Sequence, residues 1–203
     1  AKYGEFFLSE FIGQTTNSSQ TIITNPEILK FYFSRKRNRL KIMAAEPIQI
    51  ENKALGYKIT YALDSFTHEY DSHVSLYTGY PLFKEMETAD YAQMQQWQTA
   101  RKDAYTGSIL HFMRSLYRQQ LKKEDFEVQF LINNKEKAIP VKNPYVSLQF
   151  QKDDSLNIAK FIPVQANLGV IFTKEKPSAG YTATYPDEPK NFQFSLLTFK
   201  PAE

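Results

Sequence analysis

Phe6, Phe7, Leu8, Phe11 and Ile12 recur at helical spacing, and Gly13 follows. This predicts a short amphipathic N-terminal helix with a glycine stop. Gln14 to Gln20 is polar and reads as a loop, and Asn25-Pro26 is a turn signal. From Leu29 the period falls to two. Leu29, Phe31 and Phe33 alternate with polar neighbours, Arg35-Lys36-Arg37-Asn38 interrupts, and Leu40, Ile42 and Ala44 resume. Ile48 and Ile50 predict a third strand, and Tyr57, Ile59, Tyr61 and Leu63 a fourth. Val74, Leu76 and Tyr80 predict a fifth. Short connections favour antiparallel neighbours.

The period turns helical from Thr88 to about Lys123. Tyr91, Met94, Trp97, Arg101 and Ala104 share one stripe. Gly107 interrupts it, and Ser108 is placed to cap or begin a second helix. That helix turns Ile109, Phe112, Met113, Leu116 and Leu121 inward and ends near Lys122 and Lys123. Strands resume at Phe126, Val128, Phe130 and Ile132, before an Asn133-Asn134-Lys135 turn. Val146, Leu148 and Phe150 predict a further strand, as do 158–164, 168–172 and 192–199; 174–190 reads as a long loop.

Runs of strands set apart from helices imply an α+β fold. The sheets are largely antiparallel, with a central helical hairpin and a short N-terminal helix. The expected organisation is a single domain over residues 1–203, or two β subdomains, 25–87 and 126–203, bridged by helices 88–123.

Composition narrows the chemistry. The chain has 203 residues, 42% of them apolar, 25 basic against 22 acidic side chains, and no cysteine. It therefore has a core, and neither a disulfide, a thiolate metal site nor a Cys nucleophile. No apolar run approaches the roughly 18 residues of a membrane helix. A net charge of +3 predicts no nucleic-acid partner. The seven glycines form neither a P-loop nor GxGxxG, and no cofactor is expected.

The densest cluster of chemically capable side chains lies on the helical pair: Arg101, Tyr105, Ser108, His111, Arg114 and Ser115. Residues three or four apart share a helical face. A hydroxyl, an imidazole and a guanidinium on one stripe fit an anion or carboxylate pocket or a Ser-His pair. They equally fit a polar stripe bonded to sheet loops, with Ser108 as a cap. Only a base is visible beside the hydroxyl, so no catalytic set is assigned. His68 and His73 bracket Glu69, Tyr70 and Asp71, but a spacing of five puts them on opposite faces of a strand. They read as a hairpin end, and no metal is expected. Arg35, Lys36, Arg37, Arg39 and Lys41, with Tyr32 nearby, form the strongest charge run. A basic hairpin tip with an aromatic can hold phosphate or single-stranded nucleic acid; more often it is a solvated turn that discourages edge pairing, and it is read so here. Most of the 16 Phe are phased inward. Tyr77, Tyr80, Tyr91, Tyr105, Tyr117, Tyr145, Tyr181 and Tyr185 are not, and exposed tyrosines favour recognition.

Four segments carry a family resemblance. They are Phe11-Ile12-Gly13-Gln14-Thr15-Thr16-Asn17 with Ile23 to Leu29; Glu46-Pro47-Ile48-Gln49-Ile50-Glu51-Asn52-Lys53-Ala54-Leu55-Gly56-Tyr57 through Tyr61; Trp97-Gln98-Thr99-Ala100-Arg101; and Ala104 to Leu116. Together they resemble the C-terminal region of Bacteroidetes envelope proteins called carboxypeptidase-like regulatory domain-containing proteins, over about residues 6 to 120. That name comes from an upstream transthyretin-like β-sandwich, of which this chain shows no sign, so it implies no peptidase activity. The resemblance implies a fragment of a longer exported protein, placed in the periplasm or at the outer membrane after removal of a leader. It implies a non-catalytic module for binding a protein or glycan partner, or for assembly. The alternative is a hydrolase-like enzyme using Tyr105, Ser108, His111 and Arg114.

Overall fold

A computed structural model describes residues 2–132, 137–175 and 193–198. The fold is mixed α+β with antiparallel sheets. The chain divides into two compact units, Ala1–Asp103 and Ala104–Glu203.

The first unit opens with α1 (Lys2–Phe11). Six strands follow: β1 (Thr21–Ile23), β2 (Leu29–Ser34), β3 (Arg39–Ala44), β4 (Ile48–Asn52), β5 (Tyr57–Glu69) and β6 (Val74–Glu85). The long β5 organises the sheet. β6 occupies one of its edges from Tyr57 to Glu69. The other edge is shared, β4 pairing with residues 57–61 and β3 with 66–69. The register shifts between Leu63 and Ser65, where the partner changes, as a bulge that bends the strand allows. β1 pairs with β4 and β2 with β3.

Alternation decides which face is buried. Leu40 and Ile42 of β3, Ile48 and Ile50 of β4 and Phe66 of β5 point inward with Phe7 of α1 and form the core. α1 seals it with aromatic rings: Phe7 meets Phe66 at 5.2 Å and Phe11 meets Tyr61 at 5.0 Å between centroids. Burial of these side chains, at about 1.5–3 kcal/mol each, is what holds α1 on the sheet. Leu8, expected on the inward stripe, is exposed on the outer side of α1.

α2 (Tyr91–Tyr105) runs from the first unit into the second, and none of its residues is buried. The second unit contains α3 (Ile109–Tyr117), β7 (Phe126–Ile132), β8 (Lys137–Pro140), α4 (Pro144–Ser147), β9 (Gln151–Asp153), β10 (Ile158–Lys160), β11 (Asn167–Phe172) and β12 (Gln193–Thr198). Four strands form an antiparallel sheet in the order β12-β11-β7-β8, and β9 pairs with β10. Phe112 and Leu116 of α3 pack with Phe126, Val128, Phe130, Leu168, Val170 and Phe172 of the sheet.

Ile109 and Met113, expected to face inward from the second helix, are exposed. Three further local expectations change. Val146, Leu148 and Phe150 do not form a strand. Asn143 accepts from the Tyr145 and Val146 N–H groups, and Pro144 takes a first helical position, so a short helix forms instead. Leu148 is fully buried after it. α3 stops at Tyr117, before Lys122 and Lys123. Gln119 adopts φ 55° and the Gln119 and Gln120 N–H groups bond the Leu116 and Ser115 carbonyls, a Schellman stop built without glycine. β8, absent from the sequence reading, extends the sheet at β7. The Asn133–Lys135 turn, most of the 174–190 loop, Tyr181 and Tyr185 lie outside the described residues.

Candidate functional site

Arg101 and Trp97 stand four residues apart on one face of α2 and grip the turn between β4 and β5. The Trp97 indole N–H donates to the Lys53 carbonyl at 2.9 Å. Arg101 Nε donates to the Leu55 carbonyl at 2.7 Å, and its terminal nitrogens reach the Gly56 carbonyl at 2.9 Å and Glu85 Oε2 at 2.6 Å. The guanidinium also lies 4.0 Å from the Tyr57 ring centroid. Gly56 completes the clamp. Its φ is +64°, and a Cβ there would stand 2.3 Å from Trp97 Cδ2, so only glycine permits the close approach. Trp97 and Gly56 were not singled out as a pair by sequence. Their link joins segments far apart in sequence.

In the second unit, Tyr105, Ser108, His111 and Arg114 gather where α2 ends and α3 begins. Gly107, at φ +75°, turns the chain, and Ser108 caps α3 by accepting from the His111 backbone N–H at 3.2 Å. The His111 ring is buried. Its Nδ1 accepts from the Gly107 N–H at 3.1 Å, which places the ring proton on Nε2, 3.3 Å from Glu124 Oε2. Aromatic rings surround the imidazole: Tyr105 and Phe126 at 4.9 Å and Phe172 at 5.8 Å. Ser115, also buried, donates to the His111 carbonyl at 2.8 Å. Arg114 is exposed, with its guanidinium 5.4 Å from the Tyr105 ring centroid. Arg101 is engaged with the first unit's turn, as described above. A cavity of about 240 Å³ adjoins Ser108 and is otherwise apolar for the most part, with Phe112, Phe126, Val170 and Phe172 in its wall.

A Ser-His nucleophile needs an imidazole nitrogen free to take the hydroxyl proton. Here Nδ1 holds a backbone N–H and Nε2 faces Glu124, while Ser108 Oγ serves the helix N-terminus. The arrangement joins the turn, the cap and the ring into one bonded unit.

His68 and His73 are separated. His68 is buried at the end of β5, with Nδ1 2.8 Å from Ser75 Oγ, which donates to Glu10 Oε2 at 2.6 Å. His73 is exposed in the β5–β6 turn at φ 54°. Among the described residues no three His, Asp or Glu side chains gather for a metal. Burial, and then the neighbouring Tyr77, raise the Tyr61 hydroxyl above its ordinary pKa; burial and then Tyr3 do the same for Tyr70.

The outward face of the first unit's sheet carries exposed apolar side chains and cations. Register places Tyr32, Lys41, Thr67 and Leu76 in one row across four strands, with Ser34, Arg39, Glu69 and Val74 in the next. On β6, Leu76, Tyr80 and Leu82 are 67%, 78% and 70% exposed. On β2 and β3 the same face carries Tyr32, Arg39 and Lys41 around a shallow pocket. This surface arises from register between segments far apart in sequence; alternation set Val74, Leu76 and Tyr80 as the apolar positions of the fifth strand, and the fold turns them to solvent.

Comparison with family models, curated proteins and solved structures returned no match. Among the described residues no helix is long and apolar enough to cross a membrane.

Proposed function

We propose that the chain is a non-catalytic binding module of the cell envelope that recognises a protein or glycan partner through the outward face of its first sheet. The observation that carries this reading is the distribution of committed and uncommitted side chains. Arg101, Ser108 and His111 are taken up by bonds within their own units. Leu76, Tyr80 and Leu82 stand exposed together on β6. Contiguous exposed apolar groups rimmed by polar ones mark interaction surfaces, and an exposed tyrosine gives large contact area at small entropic cost. The envelope location rests on the family resemblance.

The test is a glycan array and a set of purified envelope proteins probed with the whole chain, beside Tyr80→Ser/Leu82→Ser and Ser108→Ala variants. Specific retention weakened by the β6 changes and kept by Ser108→Ala is the expected result. Turnover of ester, amide or glycoside substrates that Ser108→Ala or His111→Gln abolishes would overturn the reading.

A further inference from the structure

We infer that the basic half of this outward face is a binding site for an acidic saccharide, a sugar carrying carboxylate or sulfate groups. The inference rests on the reading of the chain as a binding module and gives one part of its surface a ligand class. The pocket, of about 480 Å³, is lined by Tyr32, Ser34, Arg37, Arg39, Lys41 and Thr67, together with Phe33 and Ser65. Its volume falls within the roughly 300–1,000 Å³ of ligand sites.

The strands position each group. Leu40 and Ile42 are buried, so alternation turns Arg39 and Lys41 to the opposite face. Lys41 faces Tyr32 on one side and Thr67 on the other; Arg39 faces Ser34 and Glu69. Arg37 stands above them in the β2–β3 turn, whose Asn38 side chain donates to Asp71 Oδ1 at 2.6 Å. The pocket lining holds three cations, Arg37, Arg39 and Lys41, and no carboxylate. Of the three, Arg39 is ion-paired, with Glu69, and Arg37 and Lys41 make no ion pair among the described residues, so the lining carries an excess of positive charge.

This combination selects a saccharide among anions. Tyr32 is 52% exposed and offers an aromatic face beside the cations, to which the apolar side of a sugar ring can lie flat. Ser34, Ser65 and Thr67 supply hydroxyls that both donate and accept, matching sugar hydroxyls. Arg37 offers a planar fork to a carboxylate or sulfate, and Lys41 a point charge beside it. A single-stranded nucleic acid needs a groove with successive stacking rings, and one tyrosine here does not make one.

The test is an amide-resolved NMR titration of the whole chain. The probes are a heparin tetrasaccharide and trigalacturonate, with cellotetraose, inorganic phosphate and an octathymidylate beside them. Shifts at residues 32–41 and 65–69 with either acidic saccharide, binding that weakens as salt rises, and a loss of about tenfold in each of Lys41→Gln and Arg37→Gln are expected. Both substituted side chains are exposed, and an unchanged melting temperature in each variant shows that the fold is intact. Silence of these residues, equal affinity in Lys41→Gln, or tighter binding of cellotetraose, phosphate or octathymidylate than of the acidic saccharides overturns the site. Shifts confined to β6 with another glycan or a protein would overturn this site while leaving the binding-module reading in place.

Discussion

Arg101 shows how one side chain can look like chemistry in the sequence and serve architecture in the fold. Its guanidinium bonds two carbonyls of a tight turn and one carboxylate, and it covers a tyrosine ring. Arg101→Ala leaves the Leu55 and Gly56 carbonyls without these donors, a cost of about 1–3 kcal/mol in urea unfolding. Arg101→Lys is expected to restore little of it, because an ammonium lacks the planar fork. Gly56→Ala is expected to be at least as harmful, since the new methyl meets both the Trp97 ring and an unfavourable φ. Urea midpoints for Gly56→Ala and Gly13→Ala separate these two causes. Gly13 also has positive φ, but a Cβ there meets nothing within 4 Å. The glycine at position 56 was visible in the sequence; the ring that makes it obligatory was not, because Trp97 lies far along the chain.

At the scale of elements, the two ends of α3 differ in legibility for a physical reason. The start was readable: Gly107 breaks the stripe and Ser108 is a strong cap residue, as the His111 N–H bond bears out. Ser108→Ala is expected to cost about 0.5–2 kcal/mol, measured by thermal unfolding. The stop was not readable, because Gln119 occupies the left-handed position where glycine is usual. Gln119→Gly relieves about 1–2 kcal/mol of steric cost against a smaller entropic loss. A modest rise in melting temperature is therefore expected. The short helix α4 was mistaken for a strand because three alternating apolar residues fit period two as well as a turn, and Asn143-Pro144 decides between them. The β9–β10 hairpin carries its own acid sensitivity. Hydrogen bonds from Lys152 and then Tyr117 hold Asp154 below the usual carboxylate range. A lowered folded-state pKa stabilises above the ordinary Asp value of about 4 and is lost as pH falls through the folded value. Acid titration followed at the Tyr117 ring is expected to show its bond to Asp154, 2.9 Å long at Oδ1, released in that range.

At the scale of the whole molecule, fold class was legible because strands β3 and β7 show period two. Leu40 and Ile42 alternate with Arg39 and Lys41, and Phe126, Val128 and Phe130 with Glu127 and Gln129. Leu40→Ala and Leu116→Ala each remove a fully packed side chain from a different core, and each is expected to cost about 2–5 kcal/mol. The proposed recognition surface was less legible. The basic run from Arg35 to Lys41 stood out, but its union with Tyr32, Ser65 and Thr67 depends on cross-strand register that no local pattern encodes. In the proposed division the helical polar stripe belongs to the scaffold and recognition to the outward sheet face. Calorimetric titration of a heparin tetrasaccharide into the whole chain, Lys41→Gln and Ser108→Ala tests that division most directly. Affinity lost by about tenfold in Lys41→Gln and kept in Ser108→Ala is the predicted result; affinity kept in Lys41→Gln and lost in a folded Ser108→Ala would contradict it.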